Sequence, residues 1–348
     1  MRQCCKALLL AVAAVVALTG CGGEEKAPNE VVLVTHDSFA MSKPVRTAFE
    51  RETGLKLRIL QSGDAGEALN KALLTAGNPQ GDVFFGVDNN LLTRALEHDL
   101  FEPYTSPELA HVPRDFVLDS EHRVTPIDHG EVCLNYDKVW FREHHIRPPE
   151  SFEDLAELRY QNLLVVENPA TSTPGLAFLL ATVAHFGFDG WQDYWRELKA
   201  NGVLVVDGWE EAYTVRFSGS SGKGQRPIVV SYASSPPAEV VFAGKPLKEA
   251  PTAVVSSTCF RQVELAGVLR GARNEEGGRK LIDFMLTPTF QRDVPLSMFV
   301  FPVREGVRLP NVFAKYAVAP QSPLDLPTNV IGANRDAWIH EWTGIALR

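Results

Sequence analysis

The feature that most constrains this sequence is a regular alternation of short β-rich runs with helical periodicity. Apolar runs typical of buried strands occupy residues 31–34, 55–60 and 82–87. Helical patterns fill the intervals at 43–52, 66–76 and 89–98, and Gly54 stops the first of them. A strand, helix, strand order is typical of βαβ units, so the pattern predicts a mainly parallel sheet flanked by helices.

The same alternation resumes in a second region. Strand patterns lie at 163–166, 203–206 and 227–231, with helical segments at 175–186 and 189–200. We therefore predict two α/β lobes with a ligand cleft between them. The chain is expected to cross outward in the Pro-, His- and Asp-rich stretch 103–128 and to return in the apolar run 261–269. The predicted lobes are 31–127 plus 262–348, and 128–261.

The N-terminus has the parts of a secretory signal, with Arg2 and Lys6 before a 12-residue apolar run. Leu18-Thr19-Gly20-Cys21 resembles the bacterial lipobox, which implies a signal peptide at 1–20, a lipid on the Cys21 thiol and a tether at 21–30. The alternative is an ordinary secretory signal in which Cys21 is incidental. We expect a protein lipid-anchored at the extracytoplasmic face of a bacterial membrane.

Charge and motifs exclude several classes of function. A formal net charge of −9 makes nucleic acid an unsuitable partner, and a 12-residue apolar run is too short for a membrane span. The sequence contains no Gly-x-Ser-x-Gly elbow, and Gly344 stands where a zincin helix needs its second histidine. We expect no enzyme activity, no metal and no cofactor.

Five cysteines reduce to two in the mature chain, because Cys4 and Cys5 leave with the signal and Cys21 is acylated. Cys133 and Cys259 lie in strand patterns near the two predicted crossings. Neighbouring crossing strands could bring them within reach of a disulfide, but a register step of one residue would turn one side chain away. Two buried free thiols are the favoured prediction, with a disulfide as the alternative.

Polar segments follow several predicted strands, where open α/β sheets place their ligands. Taken singly, each is explained by helix capping, but together they predict a ligand crevice. Trp209 and Tyr213 add aromatic surface beside acidic and hydroxyl groups, which suits a flat cation, although an isolated Trp is more often part of the core. The residues at the strand ends are Asp37, Ser38, Asp88, Asn89, Ser172, Thr173, Ser234 and Ser235.

Six segments resemble the thiamine-binding components of bacterial ABC importers, within the type II periplasmic-binding-protein class. They are Thr35-His36-Asp37-Ser38-Phe39, Asp82 to Leu92, Asn168 to Leu176, Gly208-Trp209-Glu210-Glu211-Ala212-Tyr213, Ser231 to Pro236 and Arg335 to Trp342. The resemblance implies a monomeric receptor that binds thiamine by closing its lobes and passes it to a permease. Thiamine phosphates or a pyrimidine precursor are alternative ligands. Rival functions are a receptor for iron, a polyamine or an oxyanion, and a secreted hydrolase.

The resemblance also implies roles for single residues. Ala65 and Gly66 match a ligand-contacting pair whose first member is acidic in some relatives, and Asp64 is the candidate to supply that carboxylate. Trp209 matches a stacking residue, and Phe299 stands where some relatives have Trp. The other implied contacts are hydroxyls of Ser172 and Thr173 and the segment Tyr232, Ala233, Ser234 and Ser235.

Overall fold

The computed structural model describes residues 29–220 and 224–348. The strands are β1 (Glu30–Thr35), β2 (Lys56–Gln61), β3 (Val83–Asp88), β4 (Phe101–Glu102), β5 (Thr125–Asp137), β6 (Leu164–Glu167), β7 (Leu204–Val206), β8 (Ile228–Tyr232), β9 (Thr252–Leu269) and β10 (Phe301–Pro302). The α-helices are α1 (Lys43–Thr53), α2 (Ala65–Leu74), α3 (Leu92–Glu97), α4 (Lys138–His144), α5 (Thr173–Phe186), α6 (Trp191–Ala200), α7 (Pro236–Val241), α8 (Glu275–Leu286), α9 (Pro288–Gln291), α10 (Val294–Ser297), α11 (Asn311–Tyr316) and α12 (Thr328–Ala346).

The N-terminal predictions mostly fall outside these residues. The signal peptide at 1–20 and the lipidation site Cys21 lie outside the described part, as does most of the predicted tether. The tether prediction was one residue too long, because Glu30 already pairs with Lys56 at the start of β1. In the described residues, no helix is both long and apolar enough to cross a bilayer.

Two sets of parallel strands form the framework. In the first, β1 lies between β2 and β3, and in the second, β6 lies between β7 and β8. Each strand predicted from the alternating pattern is present within one residue, and the helices between them are present within two residues, except α3, which begins three residues after its predicted start. At the end of α1, Gly54 adopts a φ of 72°, a left-handed conformation that favours glycine and ends the helix. The predicted α/β class is confirmed.

Two long antiparallel strands, β5 and β9, join the two parallel sets into one continuous sheet. They pair with each other from Thr125 opposite Ala266 to Asp137 opposite Thr252, and β9 also pairs with β3 while β5 pairs with β8. The predicted outward crossing at 103–128 ends within the first residues of β5. The middle of this stretch forms two short 3₁₀ helices, at Pro107–His111 and Arg114–Phe116, and β5 continues from it to its pairing with β8. The predicted lobe limits stay predictions.

The C-terminal helix α12 packs against both halves of the molecule. It contacts α3 of the first parallel set and α6 of the second. Trp342 is fully buried edge-on against Trp195 of α6, with ring centroids 5.4 Å apart. Burial of a large aromatic side chain is a major apolar contribution to stability. The C-terminal segment, which was predicted to belong to the first half, therefore also packs against the second half.

Cys133 on β5 and Cys259 on β9 form a disulfide. The favoured prediction of two free thiols was wrong. The bond lies where the β5–β9 register is interrupted, since Val132 is opposite Phe260 but Leu134 is opposite Val255. Four residues of β9 thus face one residue of β5, and this irregularity brings the two Cα atoms to 4.2 Å. A regular strand pairing inferred from the sequence does not predict this irregularity.

We expect mature protein, unfolded without reductant, to expose no free thiol from Cys133 or Cys259, and two after reduction. The bond closes a loop across 126 positions, so the Cys133→Ala/Cys259→Ala double variant should lose about 2–5 kcal/mol of unfolding free energy. Thiol titration and urea unfolding measure the two quantities. Two reactive thiols without reductant, with monomeric size confirmed, would contradict the disulfide.

Candidate functional site

A cavity of about 350 Å³ lies where the carboxyl ends of the parallel strands of both halves meet, within the size range of small-molecule sites. Its wall is built from turns after β1, β2, β6, β7 and β8, from the middle of β9 and from the loop before β10. Nine of the predicted site residues line it: Ser38, Asp64, Ala65, Thr173, Trp209, Tyr213, Tyr232, Ser235 and Phe299.

Asp64 connects the two halves at the bottom of this cavity. It caps α2, with Oδ1 accepting from the Ala65 N–H at 2.6 Å. The same oxygen accepts from the Thr173 N–H at the start of α5 at 3.3 Å, and Oδ2 accepts from the Trp209 N–H at 2.9 Å. Burial raises the pKa of Asp64 to about 6 despite these hydrogen bonds. One buried carboxylate thus satisfies backbone donors from three segments.

Gly66 lies where α2 meets the loop before α5. A Cβ atom at this position would stand 2.6 Å from the carbonyl oxygen of Thr171, and the next residue, Glu67, donates its N–H to that same oxygen at 2.9 Å. Only glycine permits this approach, because the obstacle is backbone rather than a movable side chain. Gly66 therefore allows α2 of one half to contact the loop before α5 of the other half. It does not line the cavity.

Aromatic rings form one side of the cavity. Trp209 stacks on Tyr213 with centroids 5.0 Å apart and meets Tyr232 edge-on at 6.4 Å. The Trp209 indole donates to the Ser231 hydroxyl at 2.9 Å, and the Tyr213 hydroxyl donates to Glu239 at 2.9 Å. These hydrogen bonds fix the ring orientations. Trp209 is half-buried: part of its side chain packs against the protein, and part lines the cavity.

Two phenylalanines meet at the cavity mouth. Phe242, just after α7, is exposed and contacts Phe299 edge-on with centroids 5.5 Å apart. Phe299 has a φ of 57°, an uncommon backbone conformation for a bulky side chain. The pair connects the second half to the loop before β10. Phe242 was not predicted from sequence, because it follows the helix in a segment without any motif.

The cavity is acidic. Asp64, Glu210, Glu239 and Glu264 line it, and no Lys or Arg stands among the described wall residues. Burial raises the pKa of Glu264 to about 7 and lowers that of His36 to about 4. The 3.5 Å contact between His36 Nε2 and Glu264 is therefore not an ion pair near neutral pH, because the imidazole is uncharged.

A second carboxyl lies directly behind Glu264. Asp128 on β5 is opposite Glu264 on β9 and fully buried. Burial, with the neighbouring Glu264 as a further cause, raises the pKa of Asp128 well above its ordinary value. Two carboxyls this close cannot both ionise without strong repulsion. The pair thus retains a proton in a range where exposed carboxyls have lost theirs.

The remaining predicted site residues lie outside the cavity wall. Asp88 accepts hydrogen bonds from the Asn90 and Leu91 backbone and from Gln262, so it organises the turn after β3. Ser172 caps α5, accepting from the Gly175 N–H at 3.5 Å. Seven predicted site residues do not line the cavity, and ligand contact by any of them stays a prediction. They are Asp37, Gly66, Asp88, Asn89, Ser172, Ala233 and Ser234.

Sequence reasoning missed the acids on the second half and on β9. Glu264 stands inside the apolar run 261–269, and a lone carboxylate in a buried strand is the signal that could have identified it. Glu239 comes three residues after Pro236, one turn into α7, and faces Tyr213. Over the described ranges, no group of three His, Cys, Asp or Glu side chains is placed to hold a metal ion.

Comparison with known proteins gives a consistent result. Residues 78–335 match the family described as bacterial extracellular solute-binding protein. The chain is 32% identical over 327 residues to a thiamine-binding periplasmic protein of Salmonella typhimurium, covering 92% of this chain and 95% of that one. It is 31% identical over 347 residues to the thiamine-binding periplasmic protein of Escherichia coli, covering 98% of each. A solved periplasmic thiamin binding protein aligns with a TM-score of 0.80 at 29% identity, covering 92% and 96%. The predicted two-lobed fold is confirmed.

The raised pKa of Glu264 predicts a pH dependence of stability. Between pH 4.5 and about 7 the folded protein binds a proton at this site that the unfolded chain has lost, so the free energy of unfolding should fall as the pH rises through this window. The slope is about 1.4 kcal/mol per pH unit for each such group. Urea unfolding of ligand-free protein at several pH values should show a smaller decline in Glu264→Gln. The exposed control Glu143→Gln should behave as wild type, and an unchanged decline in Glu264→Gln would contradict the assignment.

Proposed function

The chain belongs to the bacterial extracellular solute-binding proteins, and we propose that it binds thiamine in its cavity and delivers it to the permease of an ABC importer. The relatives named above support this ligand. The observation in this chain that carries the proposal is an acidic cavity with an aromatic side. Thiamine joins a flat aminopyrimidine to a permanently cationic thiazolium ring, so it needs both ring stacking and negative charge.

The aromatic side fits such a ligand physically. A cation placed against Trp or Tyr rings gains roughly 0.5–2 kcal/mol per contact when water is excluded. Trp209 is held by its indole hydrogen bond and by the stacked Tyr213, so it can present a fixed surface. A spermidine-like polyamine would use the carboxylates and could place an ammonium group against a ring face, but it has no flat ring to stack on Trp209.

Binding is proposed to proceed by closure of the two halves. In the state described, Asp64 accepts hydrogen bonds from Thr173 and Trp209, and Glu67 donates to Thr171, so contacts across the cleft are made. These polar groups can hydrogen-bond to one another only when the halves are in contact. When the halves are apart, water would form hydrogen bonds with them instead. Hinge motion of this kind is a common response to a ligand between lobes. No covalent chemistry is involved.

Anchoring and assembly complete the proposal. Lipidation at Cys21 would hold a monomeric receptor at the extracytoplasmic surface of the membrane, close to its permease. Two acyl chains give stable anchoring where one does not. The segment between Cys21 and β1 is then the tether that lets the folded part move over the membrane.

We expect thiamine to bind with 1:1 stoichiometry and to raise the melting temperature, since a ligand bound only by the native state stabilises it. Trp209→Ala should weaken binding by roughly 1–3 kcal/mol through loss of ring contact. Calorimetry and thermal melts on one preparation measure both effects. Trp140→Ala, a half-buried Trp off the cavity, is the matched control and should retain affinity. A response to spermidine or ferric ion, but not to thiamine, would overturn the proposed ligand.

Gly66→Ala tests closure. The added methyl group would meet the Thr171 carbonyl oxygen, so we expect thiamine affinity to weaken by about 1–3 kcal/mol, the usual cost of overpacking. The ligand-free protein should keep its melting temperature, because alanine is favoured within α2 and the halves can separate. Gly344→Ala in α12, where a Cβ meets nothing within 4 Å, is the control. Unchanged affinity in Gly66→Ala would contradict closure through this contact.

A further inference from the structure

A buried serine that does not line the cavity contacts the Trp209 ring. Ser231 lies one residue before the end of β8 and is fully buried, and its hydroxyl accepts the Trp209 indole N–H at 2.9 Å. The Ser231 and Ser235 hydroxyl oxygens lie 2.8 Å apart, and the Ser235 oxygen also accepts the backbone N–H of Tyr232 at 3.1 Å. The orientation of the Trp209 ring therefore depends on a hydroxyl behind the cavity wall as well as on ring stacking.

The hydrogen bonds continue from Ser235 to the second aromatic ring of the wall. Burial and the neighbouring Glu239 carboxylate raise the pKa of the Tyr213 hydroxyl well above its ordinary value, and a hydrogen bond from Ser235 opposes this rise. A donor to the phenol oxygen has this effect because it stabilises the ionised form. Tyr213 in turn donates to Glu239 at 2.9 Å. Five side chains thus form one chain of hydrogen bonds, in the order Trp209, Ser231, Ser235, Tyr213 and Glu239.

The two ends of this chain fix its direction. The indole N–H of Trp209 can only donate, the ionised Glu239 carboxylate can only accept, and each hydroxyl between them has a single proton. Since Tyr213 gives its proton to Glu239, the bond between Ser235 and Tyr213 uses the Ser235 proton. The bond between Ser231 and Ser235 then uses the Ser231 proton. The Ser231 oxygen accepts from the indole, so every bond has one donor and one acceptor.

We propose that Ser231 is a positioning residue for ligand binding, because it joins this one-directional chain to the indole N–H and so holds the Trp209 ring in its orientation. The effect on thiamine affinity rests on the proposed function, whereas the orientation of the ring can be measured without any ligand. Without the Ser231 hydroxyl, the indole N–H would turn to water in the cavity, because a buried donor needs a partner. Part of the binding free energy would then be spent on ordering the ring.

Hydrogen exchange of the indole N–H, followed by NMR, tests the orientation directly. The chain has six Trp residues, and Trp209→Phe identifies the Trp209 signal by removing it. In ligand-free protein, we expect Ser231→Ala to accelerate exchange of this signal at least about tenfold, since the N–H loses its buried acceptor. Ser235→Ala removes the next hydroxyl and should accelerate the same exchange, which preserves the test if Ser231→Ala does not fold. Unchanged exchange in either folded variant would overturn the chain.

A double-mutant cycle connects the ring to binding. Thiamine affinity, measured by calorimetry, should fall about three- to tenfold in Ser231→Ala, the usual effect of losing one hydrogen bond. In the Trp209→Phe background, which has no indole N–H, Ser231→Ala should change the affinity less than about twofold. An equal loss in both backgrounds would mean that Ser231 acts by another route, and no loss in either would mean that the ring needs no positioning. Both results overturn the role of Ser231.

Thr182 provides a matched control away from the cavity. Its fully buried hydroxyl accepts the Trp195 indole N–H at 3.0 Å, as Ser231 accepts that of Trp209. Thr182→Val should therefore accelerate exchange of the Trp195 signal and leave thiamine affinity unchanged. A loss of affinity as large as in Ser231→Ala would overturn the specific role of Ser231. If wild type does not bind thiamine, the proposed function fails, and the exchange rates alone then decide whether Ser231 holds the ring.

Discussion

The pairing of β5 with β9 is the contact on which the rest of the structure depends. These two strands run antiparallel through both halves, while each of the other strands in the described residues belongs to one half only. Parallel strands need long crossovers and are covered on both faces, so each half alone could be an ordinary α/β unit. The antiparallel pair sets how the halves face each other. It also carries Glu264 into the cavity and Asp128 behind it.

Several carboxyl groups are buried in this sheet and its turns, and backbone N–H donors stabilise the ionised form of some of them. Asp64 has three N–H donors, and Asp88 is likewise satisfied by a turn and by Gln262. Glu264 shares a proton with Asp128 and contacts the neutral His36. A positive charge beside a carboxyl favours its ionised form, so a cationic ligand would favour release of this proton. The site thus combines a carboxylate that binds backbone donors with a carboxyl pair that retains a proton.

The sequence allowed the parallel framework to be predicted well, because apolar runs and capping residues are local signals. The strand ends around Ser38, Thr173 and Ser235 were located for the same reason. Contacts between distant segments were not predictable: Asp64 with Trp209, and Phe242 with Phe299, depend on how the halves dock. Composition alone does not predict the length of β5, because the Pro-rich stretch marks the loop before this strand and not the strand itself. The disulfide between Cys133 and Cys259 was predicted only as the alternative, because bringing the two residues together requires a register irregularity between β5 and β9.

The disulfide at this irregularity has a mechanical consequence. Where four residues of β9 face one of β5, the ladder itself defines the register poorly, and one strand could slip along the other. A covalent link between Cys133 and Cys259 blocks that slip. Because it joins the strands at a single point, it opposes bending or twisting about that point much less. In the proposed closure, the β5–β9 pair between the halves would therefore bend about a fixed point, and the opposing walls of the cleft would return to the same alignment after each cycle.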